Sequence, residues 1–139
     1  MKKNIKDIFA LPSNVLLIVG LTDIVRGFMH TFLLTWSATN IAKLNITSSS
    51  DNQIFLLGIF GITNYLSGFI YILISRKARQ LSPYVLMIIP VAYFLGLVGI
   101  WSGGVRAQAE FYGKYFMLVY FGVCIVTSII FFIRKRAQI

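Results

Sequence analysis

The sequence predicts an all-α integral membrane protein, a bundle of four transmembrane helices with no soluble domain. Three observations carry that expectation. Of the 139 residues, 58% are hydrophobic and only 12% charged, and the mean hydropathy is +0.80. That composition lies outside soluble globular domains and within polytopic membrane proteins. Four apolar stretches are long enough to cross a bilayer, which takes about 20 helical residues each. The basic residues mostly flank those stretches.

Residues 1–12 form a cytoplasmic or interfacial segment in this reading. Lys2, Lys3, Lys6 and Asp7 alternate with Ile5, Ile8 and Phe9, a spacing suited to a short amphipathic piece in the headgroups. The first apolar run is too long for a cleavable signal peptide and lacks a small-residue cleavage site. The first span covers residues 13–39, opening after Pro12 with Ser13 or Asn14 as the cap. A polar loop follows, with Lys43, three serines and Asp51. The second span covers 53–75 and ends at the basic loop of Arg76, Lys77 and Arg79. The third covers 83–104, with Pro90 inside it, where a proline frees a carbonyl and kinks a helix. The fourth covers 112–133 and stops at Arg134-Lys135-Arg136.

The net charge of +9 does not point to nucleic acid, because most of the bases flank apolar segments, where topology and anionic headgroups account for them. The N-terminus, the second loop and the C-terminus hold three Lys/Arg each, whereas the first and third connections hold only Lys43, Arg106 and Lys114. The positive-inside rule then puts both termini in the cytoplasm, at the inner membrane if the source is bacterial. An even number of spans likewise requires both termini to share one side.

The functional signal lies in the first span. Asp23, Arg26 and His30 are spaced by three and four, so at about 100° per residue they share one helical stripe. Val19, Gly27, Leu34 and Ser37 continue it. An aspartate or arginine at mid-span costs roughly 2.5–3.5 kcal/mol on insertion scales, so both need partners away from lipid. Three residues apart, they can pair within the helix. The pair reads either as part of a ligand site, ion path or proton relay, or as an ion pair fixing the first helix against its neighbours. His30 reads either as a titratable group or as a neutral, hydrogen-bonded core histidine.

The second span repeats the pattern with Gly61, Asn64, Ser67, Gly68, Tyr71 and Ser75 on one face. Asn64 and Tyr71 would complete a pocket with Asp23 and Arg26, or simply hydrogen-bond between helices. Tyr93 in the third span and Tyr120, Cys124 and Thr127 in the fourth give those helices inward polarity, and either tyrosine hydroxyl could reach the charged centre. Ala92, Gly96, Gly99 and Gly103 form a small-residue face for close approach of a neighbour, within the bundle, in a homo-oligomer or against a partner subunit. Trp36, Trp101, Tyr112 and Tyr115 read as interface anchors. The sequon Asn45-Ile46-Thr47 lies too close to the membrane to be read as glycosylated.

No metal set, cofactor motif, nucleophile–base pair or paired carboxylate is visible, so enzyme activity ranks last. One cysteine, Cys124, allows neither an internal disulfide nor a CxxC motif. The leading expectation is a bundle that binds a lipid, quinone or other amphipathic ligand at Asp23, Arg26, His30, Asn64, Tyr71, Tyr93 and Tyr120. A proton-coupled carrier acting as an oligomer is the second reading, and an accessory or assembly subunit the third. In size and layout the chain loosely resembles the DoxX-like small four-helix membrane proteins, in which an early helix also carries arginine then glycine, here Arg26-Gly27. The resemblance covers helix count and one dipeptide, and implies no residue roles and no activity.

Overall fold

The computed structural model describes residues 7–44, 51–104 and 112–137. Among them the chain is all-helical: α1 (Ala10–Thr31), α2 (Leu34–Asn40), α3 (Asp51–Lys77), a 3-10 turn (Arg79–Leu81), α4 (Ser82–Ser102) and α5 (Gly113–Arg136). Four helical stretches, α1, α3, α4 with its preceding turn, and α5, are long and apolar enough to cross a membrane. The sequon and the connection over residues 105–111 lie outside the described residues.

α1 is the hub, and α3 is its principal partner. Two glycines of each helix set the register. A Cβ on Gly20 would lie 2.9 Å from the Gly68 carbonyl oxygen, and one on Gly27 would lie 3.0 Å from that of Gly61. Residue numbers rise along α1 as they fall along α3, so the pair is antiparallel. Seven residues separate the glycines on each side, the repeat that keeps a left-handed pair in contact along one seam. Small residues let the backbones approach closely, which is how apolar helices associate without a hydrophobic drive.

α4 and α5 pack on each other and both touch α1, while α3 and α5 make no backbone approach among the described residues. The core on this side comprises Leu16, Val19, Leu86, Ile89, Tyr120 and Cys124. α4 contributes only through its first half. Beyond Pro90 every residue of α4 is exposed, and nothing lies within 4 Å of a Cβ built on Gly96 or Gly99. The small face expected to receive a helix of the bundle therefore receives none from the described residues of this chain. Close approach happens instead at Gly20 and Gly27 against Gly61 and Gly68.

The expected single helix over 13–39 is broken. α1 starts earlier, at Ala10, and ends at Thr31; Leu33 leaves the helical region (φ −107°, ψ 39°) before α2 begins. Neither proline nor glycine stands there. The hydroxyl of Thr31 instead donates to the Gly27 carbonyl at 2.9 Å and pairs with the Tyr65 hydroxyl at 3.2 Å, and such back-bonding bends helices. At the other end Ser13 is a residue of the first helical turns, not a cap. Asp7 accepts from the Phe9 backbone N–H at 3.0 Å and pairs with Arg79 at 2.8 Å, while Arg79 Nε donates to Ser13. The start of α1 is thereby tied to the α3–α4 connection.

Candidate functional site

Asp23 lies on the face of α1 that Gly20 and Gly27 bring against α3. Its carboxylate accepts from three helices. Arg26 Nη1 donates to Oδ1 at 3.1 Å within α1, Ser67 Oγ of α3 donates to Oδ2 at 3.0 Å, and the Tyr120 hydroxyl of α5 donates to Oδ2 at 3.2 Å. A buried carboxylate is tolerable only when paired and hydrogen-bonded in this way. Its side chain is 5% exposed, against 13% for Arg26. The carboxylate also joins α3 to α5, whose backbones do not approach each other among the described residues.

Arg26 has a different surrounding. Its guanidinium lies 5.7 Å from the ring of Phe60, 5.9 Å from Phe116 and 6.0 Å from Tyr120. Aromatic faces attract a desolvated cation, by about 2 kcal/mol where water is excluded. Of its five N–H donors, one is engaged, on Asp23, among the described residues.

Beside it lies a cavity of about 390 Å³, bounded by α1, the end of α2 and the start of α5. Arg26, His30, Thr22 and Asn40 supply its polar groups, and Val25, Met29, Ile41, Phe116 and Met117 most of its apolar wall. Asp23 is not among the lining residues. The cavity is therefore lined by the arginine of the pair and not by the aspartate. Val25, Tyr112 and Phe116 are about half exposed at its margin, so it is open at the side of the bundle.

The break after Thr31 shapes this cavity. In a straight helix residues 30 and 37 stand about 10.5 Å apart along the axis. Here His30 Nδ1 and Ser37 Oγ are hydrogen-bonded, both residues buried. The bend thus brings α2 back toward α1, and its end reaches α5, where Tyr112 N–H donates to the Ile41 carbonyl at 3.3 Å. Lys43 lies 4.7 Å above the Tyr112 ring. Asn40 and Ile41 close one end of the cavity.

Asp23, Arg26 and Tyr120 are thus in direct contact, and His30 shares the cavity with Arg26. Asn64 is buried, and its amide nitrogen has no hydrogen-bond partner among the described residues. Tyr71 packs against the Leu16–Cys124 core, with no hydrogen bond from its hydroxyl among the described residues. Tyr93 is 41% exposed and rests on Phe121, ring centroids 4.9 Å apart, and makes no hydrogen bond to Asp23 or Arg26 among the described residues. Phe60, Phe116, Met29 and Met117 belong to the site but resemble ordinary span residues in sequence. No group of three or more metal-ligating side chains occurs among the described residues.

The fold and site define a small all-helical protein, four of whose helical stretches are long and apolar enough to cross a membrane, with a carboxylate hydrogen-bonded from three helices and an adjoining arginine cavity. Comparisons with protein-family models, curated proteins and solved structures found no match. The DoxX-like likeness is one of layout and has no family match behind it.

Proposed function

We propose that this is a membrane protein that binds an amphipathic small molecule or lipid in the cavity beside Arg26. The observation that carries this reading is a cation with spare hydrogen-bond donors lining a side-open, mostly apolar cavity of about 390 Å³. Ligand pockets have this character, with a few polar groups in an apolar wall and volumes from about 300 Å³ upward. Intramembrane ionisable residues mark functional sites by default. Asp23 orients Arg26, and the apolar walls of α1 and α5 receive the ligand's tail. With both termini cytoplasmic, as the base distribution favours, the cavity belongs to the outer half of the bilayer. The carrier reading needs a carboxylate free to exchange protons, and three donors on Asp23 weigh against it.

The test is saturable binding. Delipidated protein in maltoside is titrated with a brominated long-chain amphiphile while Trp36, one turn before Asn40, reports by fluorescence quenching. Saturable quenching that the double change Asp23→Leu/Arg26→Met abolishes, with no lone charge left buried, supports the proposal; equal, non-saturating quenching of both proteins contradicts it.

A further inference from the structure

Resting on that binding reading, we infer that the cavity selects an uncharged head group bearing a carbonyl-type acceptor and discriminates against anions. The polarity of the site carries the argument. Arg26 lines the cavity and has donors to spare, so a ligand head that engages it must accept hydrogen bonds; a cationic or donor-only head finds no acceptor in Asp23, which lies outside the lining and whose oxygens already take Arg26, Ser67 and Tyr120. The pair as a whole is neutral. An anion entering would leave the site with a net negative charge in a medium of low dielectric. It would lose its hydration, and its attraction to Arg26 would be opposed by Asp23, which a single hydrogen bond at 3.1 Å holds next to that arginine.

The aromatic neighbours act in the same direction. Phe60, Phe116 and Tyr120 already offer the guanidinium the negative faces of their rings, so its charge is met before any ligand arrives. Phe116 both flanks Arg26 and lines the cavity. A carbonyl oxygen accepting from the free Arg26 donors sets its carbon skeleton on Phe116 and Met117. A quinone, a long-chain ketone and the ester of a neutral lipid share this head-group chemistry.

The experiment compares two brominated amphiphiles of equal chain length, a 2-alkanone and an alkyl sulfonate that stays anionic at all working pH values. Both are added at low mole fraction in maltoside micelles, and quenching of Trp36 is read in a Trp101→Phe background. The ketone is expected to saturate wild type at a mole fraction at least about tenfold lower than the sulfonate. Asp23→Asn, which leaves the Arg26 charge uncompensated, is expected to reverse that order. Equal affinities, or tighter binding of the sulfonate to wild type, would overturn the selectivity while leaving the binding site standing. Failure of both ligands to exceed the baseline of the double variant Asp23→Leu/Arg26→Met would refute the binding reading itself. Should Asp23→Asn not fold, the wild-type order decides alone.

Discussion

The hydroxyl of Tyr120 donates to Asp23 Oδ2 at 3.2 Å across 97 residues of sequence, and with Ser67 on the same oxygen it links α5 to α3 through α1. Tyr120→Phe keeps the ring and removes the bond. A destabilisation of about 1–2 kcal/mol is expected, above the membrane average of about 0.6, because the acceptor is charged. Ser67→Ala should cost a similar amount. The double change should cost more than the sum, since it leaves the carboxylate with Arg26 alone. Reversible unfolding in mixed micelles measures all three; strict additivity would mean that the two donors act separately.

The glycine seam gives a sharper steric prediction. A Cβ on Gly68 would lie 2.7 Å from the Gly20 carbonyl oxygen and 3.0 Å from Ile24. Gly68→Ala should therefore force α1 and α3 apart at a cost of about 1–3 kcal/mol. Gly96→Ala and Gly99→Ala should leave the fold of the monomer undisturbed, since nothing lies within 4 Å of either new methyl. Thermal unfolding in detergent separates the two seams. A stable Gly68→Ala beside an unstable Gly99→Ala would invert the packing described here.

The contrast between those seams shows how far the sequence can be read. Ala92, Gly96, Gly99 and Gly103 are the denser run, yet close packing uses Gly20 and Gly27 with Gly61 and Gly68, because only these come opposite each other when α1 and α3 run antiparallel. Register is a property of two helices, and one helix at a time does not reveal it. The Asp23–Arg26 contact was legible because both residues lie on one helix, three apart. Ser67 and Tyr120 as its other partners were not, since each is one of several inward polar residues on its span. The bend after Thr31 left no proline or glycine to signal it, and the cavity depends on that bend.

The latch between His30 and Ser37 should hold α2 in place. Ser37→Ala removes the bond, leaving the buried imidazole without that partner. Hydrogen exchange over residues 34–41 is expected to quicken while exchange in α3 stays unchanged. No local change would mean that the packing of α2 on α3 and the Ile41–Tyr112 backbone bond fix α2 without the latch.

The orientation proposed for the chain predicts labelling from opposite sides. Asn52→Cys, exposed at the start of α3, should react with an impermeant maleimide in intact cells. Lys77→Cys, exposed at its other end, should react only after lysis. Cys124 is buried and contributes little background. The reverse pattern would overturn the positive-inside assignment.

The central claim is that the Asp23–Arg26 pair serves a binding site and is more than scaffolding, and a comparison of Asp23→Leu/Arg26→Met with each single change tests it most directly. Removing one partner of a buried pair leaves a lone charge and costs about 3–5 kcal/mol, whereas replacing both with apolar residues is often neutral. Folded yield and saturable binding of the brominated 2-alkanone are read on the same preparations. The account predicts that the double variant recovers the folded yield lost by Arg26→Met and still fails to bind. It further predicts that Arg26→Lys folds but binds weakly, because an ammonium does not reproduce the planar fork among Phe60, Phe116 and Tyr120. A double variant that folds and binds as wild type does would contradict the account and leave the pair a structural contact only.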